Sequence, residues 1–149
     1  MQKNYIVALL ALLVATPALI AQKPDEALQL RTVVLQAIQR DAPMRAMILA
    51  SDADDDAVLA QRLADVFGVR SRHIARGEKL KAAGADTVTV LIKIDSVGQT
   101  RASGTVRAWG ALQAKKPYDP TVWFTTRRIE ATKKGATWIV TKLSTTFES

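Results

Sequence analysis

The feature that most constrains this chain is a strict two-residue alternation just past its middle. Val88, Val90, Ile92 and Ile94 alternate with Thr87, Thr89, Leu91 and Lys93. Successive side chains of a strand point to opposite faces, so the stretch predicts a strand with one apolar side. Ser96-Val97-Gly98-Gln99 supplies a turn, and a second run sets Ala102, Gly104, Val106, Ala108, Gly110 and Leu112 between Arg101, Ser103, Thr105, Arg107 and Trp109. Ala114 to Pro120 holds two prolines and no period, and reads as loop. A third run covers Thr121 to Thr132, Lys133-Lys134-Gly135 turns the chain, and Thr137 to Phe147 is the last strand. β-branched and aromatic residues dominate these runs, as strands prefer. Ala85 to Phe147 is therefore expected to hold four strands.

Pairing Ile94 with Ala102, Ala108 with Phe124 and Arg128 with Val140 closes the hairpins. One face then collects Val88, Val90, Ile92, Val106, Ala108, Val122, Phe124, Trp138 and Val140. The other collects Thr89, Thr105, Arg107, Trp109, Trp123, Thr125, Arg127, Ile129, Ile139, Thr141 and Leu143. The first set makes a core. The second suits a half-wet surface, where Trp109 and Trp123 pair across a hairpin beside Arg107 and Arg127. A one-residue slip would exchange the two sets.

Upstream of these strands the pattern turns helical. Leu30, Val33, Val34, Ala37 and Ile38 share one helix face, with Asp25 and Glu26 at the start and Arg40 at the end, where each complements the helix dipole. Asp41-Ala42-Pro43 stops this helix. Met44 to Ala50 is rich in Met, Ala and Leu and is expected to be a short helix. Leu59, Leu63, Val66 and Phe67 form a further stripe, closed by Gly68. Val69 to Leu80 reads as the first strand, with Arg70, Arg72 and Arg76 on one side and Ser71, His73 and Ala75 on the other.

The 149 residues are enough for one domain with a core. Net charge is +7. Gln22 to Phe67 carries 5 basic and 8 acidic residues, whereas the chain from Gly68 onward carries 15 basic and 6 acidic. A positive field over the sheet half favours anionic partners. Lysine and arginine also keep sheet edges soluble and unpaired. Cysteine is absent, which excludes disulfides, thiolate catalysis, a cysteine-ligated metal and a lipid anchor on an N-terminal cysteine. At the other end of the chain, Lys3, the apolar run Ile6 to Val14 and the small residues Ala18 and Ala21 read as a signal peptide over residues 1–21. Its apolar stretch falls short of a membrane span and contains Pro17. An exported protein, periplasmic or extracellular, is expected.

Asp52, Asp54 and Asp56 have the alternate spacing that opens a calcium loop, but the sixth and twelfth positions are Ala57 and Leu63 rather than glycine and glutamate. Capping of the following helix is the expected role. His73 is the only histidine, so no histidine cluster can hold a metal. It remains a cavity candidate. No G-x-S-x-G elbow, P-loop or G-x-G-x-x-G occurs. No metal or other cofactor is implied.

The ending Trp123 to Thr132, Lys-Lys-Gly, then Thr137-Trp138-Ile139-Val140-Thr141-Lys142-Leu143-Ser144 resembles the nuclear transport factor 2-like superfamily of α+β cones. The resemblance implies a single domain over 22–149, with two to three N-terminal helices packed on a curved antiparallel sheet of four to five strands. Some members are isomerases, dehydratases or polyketide cyclases with an Asp or His in a cavity. Others, including exported components of type IV secretion systems, bind proteins without catalysis. No acid–base dyad maps onto this chain. The reading is an exported, non-enzymatic binding or assembly domain. Its partner, an anionic lipid, a glycan or an acidic protein, would meet Arg107, Trp109, Trp123 and Arg127 or the row Arg70, Arg72 and Arg76. Nucleic acid is not expected, and a homodimer through the sheet face is a further use of that surface. The alternative is a small-molecule enzyme or carrier with a cavity between helices and sheet. A cystatin-like inhibitor is a third, less supported reading.

Overall fold

The computed structural model describes residues 24–44, 46–111 and 122–149. The expected signal peptide and the Ala114–Pro120 loop lie outside these residues. Eight elements follow in order: α1 (Pro24–Asp41), β1 (Ala46–Ser51), α2 (Ala57–Phe67), β2 (Arg70–His73), β3 (Thr87–Val97), β4 (Arg101–Ala111), β5 (Val122–Lys134) and β6 (Thr137–Glu148). The strands form one open sheet in the order β2-β1-β3-β4-β5-β6. Among the described residues the architecture is thus α+β, with two helices and a six-stranded mixed sheet rather than a purely antiparallel one.

The first correction is Met44 to Ala50, which is not helical. Ala46–Ser51 is a strand lying parallel to β2 on one side and to β3 on the other, and all of it but Ala46 is buried. A strand covered on both faces reads as an unbroken apolar run and shows no alternation. Without a period, Met and Ala content pointed to the wrong element. Parallel neighbours need a crossover, and α2 provides it between β1 and β2. The second correction concerns Val69 to Leu80. Only Arg70–His73 is strand, and it forms the edge of the sheet.

Both helices cover one face of the sheet. Leu30, Val34, Leu35 and Ile38 of α1 and Leu63 and Ala64 of α2 pack on Met47, Leu49, Val90, Ile92, Val106, Ile129 and Trp138. Asp56 caps α2 by accepting from the Val58 and Leu59 amides, and Gly68 closes it at φ 64° in the left-handed region. Val66, expected in the stripe, faces solvent.

The hairpin registers differ from expectation. Ile94 pairs with Gly104 rather than Ala102, Ala108 with Thr125 rather than Phe124, and Val140 with Ala131 rather than Arg128. The first shift is even and leaves the faces of β3 and β4 as read. The second is a single residue and turns β5 over: Trp123, Thr125, Arg127 and Ile129 lie on the helix side and Phe124 on the other. A register shift between Glu130 and Ala131 in the β5–β6 ladder also brings Leu143 to the helix side, opposite Ile129. Val90 and Val106 lie beneath the helices as expected.

Candidate binding face

The sheet face away from the helices has two halves. Over β1, β3 and β4 it is covered by the segment after β2. Ile74 donates its amide to the Ser51 carbonyl at 2.7 Å and buries its side chain against Ala50, Leu91 and Trp109. Trp109 is only 2% exposed, so this ring is core and not a wet platform. Behind Ile74 the segment is tied down by polar contacts. Arg72 pairs with Glu78, whose other oxygen accepts from the Ala75 amide at 2.9 Å. That backbone bond, then Arg72 and Lys81, holds the Glu78 carboxyl below its ordinary range. Arg76 lies 3.9 Å from Asp54. A cleft of about 310 Å3 remains under this segment, with Asp52, Asp54, Arg76, Arg107 and Trp109 in its walls. Lys93 reaches Asp52 at 2.6 Å in the same region.

Over the rest of β4, and over β5 and β6, none of the described residues outside the sheet covers the face. Trp109 and Phe124 stack with ring centroids 6.4 Å apart, and Phe147 follows at 6.2 Å. Phe147, on the outermost strand, is 55% exposed. Arg107 and Arg128 flank this aromatic row on the same face and are both exposed. Neither makes an ion pair with a carboxylate among the described residues. In the covered half Arg72, Arg76 and Lys93 each pair with a carboxylate, and Arg107 stands close enough to Asp52 to lower its carboxyl, whereas Arg128 is exposed away from that half.

The structure therefore divides the expected site residues. Arg70, Arg72, Arg107 and Trp109 share the face away from the helices, and Arg76 hangs from the covering segment. Trp123 and Arg127 lie across the sheet, so Trp109 and Trp123 do not pair. Gly110 stands opposite Trp123. A Cβ on Gly110 would come within 2.8 Å of the Trp123 indole nitrogen, so the ring lies flat over the glycine. Arg127 is bound to Asp41 at the end of α1. His73 is exposed and contacts Ser51 Oγ at 3.1 Å through Nδ1. Its ring stands at the end of the edge strand rather than between helices and sheet. No group of three or more metal-ligating side chains occurs among the described residues.

Reading the residues alone missed Phe124, Phe147 and Arg128. Phe124 was assigned to the core by the one-residue slip in β5. The signal that fixes the register was present: an in-strand glycine marks a close approach of another group, and Gly110 in register with a tryptophan sets Trp123 on the helix side.

No family model, curated protein or solved structure matches the chain. No helix among the described residues is long and apolar enough to cross a membrane.

Proposed function

We propose that the chain is an exported, non-enzymatic binding domain that docks an acidic partner on the open half of the sheet, across β4, β5 and β6. The observation that carries this reading is the exposed Phe147 at the end of an aromatic row whose other rings are buried or half-buried, with the exposed Arg107 and Arg128 on the same face and in no ion pair among the described residues. Aromatic and arginine side chains together are what protein and polyanion contacts select. The positive balance of the sheet half adds a field that draws anions from a distance and weakens with salt. Arg72, Arg76 and Lys93 of the covered half already have carboxylate partners, which favours the β4–β6 half as the contact surface.

The test is binding of the full chain to three acidic probes across a salt series: polyglutamate, heparin, and vesicles containing phosphatidylglycerol. Affinity for at least one probe should fall steeply with salt, and Arg107→Glu with Arg128→Glu should weaken it at least about tenfold, as reversal of two exposed positive charges on the contact face implies. The arm that responds identifies the acidic group as protein, glycan or lipid. Absence of binding in all three, or equal binding by the double variant, would overturn the reading.

A further inference from the structure

Most of the space between helices and sheet is filled by Leu30, Val34, Leu35, Ile129 and Trp138. One part is not. α1 stops at Asp41, and the chain turns back into β1 before it has covered the nearby ends of β4 and β5. The pocket left there has a volume of about 240 Å3 and is walled by Ile38, Met44, Val106, Ala108 and Trp123. Its polar groups are Thr125 and Arg127. Trp123 forms a flat wall because Gly110 beneath it has no side chain.

From this geometry we infer that the pocket binds a small neutral molecule: one aromatic ring or a body of that size, carrying a single hydrogen-bond acceptor. Size gives the first half of the assignment. Apolar cavities of roughly 150 Å3 hold a benzene ring, and drug-sized ligands need about 300 Å3 or more. Charge gives the second half. The Arg127 guanidinium is already neutralised by Asp41, and the C-terminal end of α1 adds a partial negative charge. A ligand anion gains no unpaired cation there, and a ligand cation gains no unpaired carboxylate, because Asp41 is held by Arg127. Either would have to leave water for a wall of hydrocarbon. Guanidinium has five N–H donors, and its bond to Asp41 leaves others for an acceptor at the mouth. The Thr125 hydroxyl is a second donor. No carboxylate or histidine lines the pocket among the described residues, so it holds a ligand without acid–base groups to transform it.

Titration of the 15N-labelled full chain tests this with benzyl alcohol, phenylacetate and benzylamine as probes. Benzyl alcohol should shift the Trp123 indole N–H and the Val106 and Ala108 amides saturably. Phenylacetate and benzylamine should each bind about tenfold more weakly or worse, given the cost of burying a charge. Ala108→Phe fills the space and should abolish the shifts while signals from α2 and β2 stay in place. Should that variant not fold, Ala108→Val is the smaller filling change and should weaken binding in proportion. Gly110→Ala displaces the indole and should also weaken it. Shifts that are non-saturable or spread over the surface would overturn the inference, as would an Ala108 variant that folds and binds unchanged. Phenylacetate binding as tightly as benzyl alcohol would overturn the neutral-ligand assignment. Arg107 and Arg128 lie on the other face, so this result stands or falls independently of the acidic-partner reading.

Discussion

Asp52 and Asp55 stand three residues apart and respond to acid in opposite directions. Burial alone would raise Asp52, but the Lys93 ammonium, the Asp54 amide and the Arg107 charge outweigh it and hold the carboxyl below its usual range. Its folded value lies below its unfolded value, so its contribution is present above the ordinary carboxylate range and is lost as pH falls through the folded value. We predict that Asp52→Asn lowers stability at neutral pH by about 0.5 kcal/mol, the worth of a partly exposed pair. Urea midpoints of the two proteins should converge in strong acid. Asp55 is raised by burial, which the nearby Arg31 only partly offsets. The fold therefore disfavours its ionised form, and its contribution to stability grows as pH falls through the raised value. Arg31 and Asp55 lie 3.7 Å apart with side chains 13% and 10% exposed. The ionised carboxyl is the disfavoured form, so the neutral Asp55→Asn should not lower stability at neutral pH, and its urea midpoint should match or exceed that of the unchanged chain. Thr89 carries a buried hydroxyl with no hydrogen-bond partner among the described residues. Thr89→Val should be neutral or stabilising by up to about 1 kcal/mol; a clear loss of thermal stability would mean the hydroxyl is satisfied by ordered water. The aspartate cluster was readable as capping because its calcium pattern breaks at Ala57 and Leu63. The structure shows why no cage forms: Asp52 turns to Lys93, Asp54 to Arg76 and Asp56 to the α2 amides.

At the scale of elements, α2 depends on a cap that one side chain supplies. Asp56→Ala should destabilise the chain by about 1 kcal/mol, read as a shift in denaturant midpoint. Gly104 faces a harder limit. It pairs with Ile94 next to a register shift, and a Cβ there would stand 2.2 Å from the Lys93 carbonyl oxygen. The obstacle is backbone of the neighbouring strand, so Gly104→Ala should open the β3–β4 ladder and cost about 3 kcal/mol or more. These two strands were legible because β3 alternates cleanly and keeps one face against the helices. The face of β5 was not legible, for a physical reason. Trp123, Thr125, Arg127 and Ile129 form as plausible a wet set as Val122, Phe124, Thr126 and Arg128, so composition does not choose between them. Register with Gly110 does. For β1 the obstacle was burial between two parallel neighbours, which erases the period that marks a strand. Leu143 was lost to a further cause, the β5–β6 register shift between Glu130 and Ala131, which pattern counting passes over.

Taken whole, the molecule is an open sheet protected unequally, and this sets where it should open first. Helices cover one face, and the segment from Ile74 covers the other only over β1, β3 and β4. The first half of β3 and the Trp109 end of β4 are therefore enclosed on both sides, and Val90, Leu91, Ile92 and Val106 are buried. The edges differ. β2 has four residues, and the far end of β6 projects Thr145, Thr146 and Phe147 into solvent. Local opening follows such differences, because exchange needs little disruption where few apolar contacts hold the backbone. We predict that amide hydrogen exchange is slowest at Val90, Ile92 and Val106 and fastest, among strand residues, in Arg70–His73 and Ser144–Glu148. The short β2 also bears Arg70 and Arg72, which guard an edge against pairing with a second chain. No such density of charge protects β6, whose outer edge carries Lys142 among threonines and the exposed Ile139 and Phe147. Protection of Ser144–Glu148 that rises with protein concentration would therefore mean that a second copy adds to this edge. Protection that is low and independent of concentration would leave the strand free for the acidic partner assigned to the adjoining face.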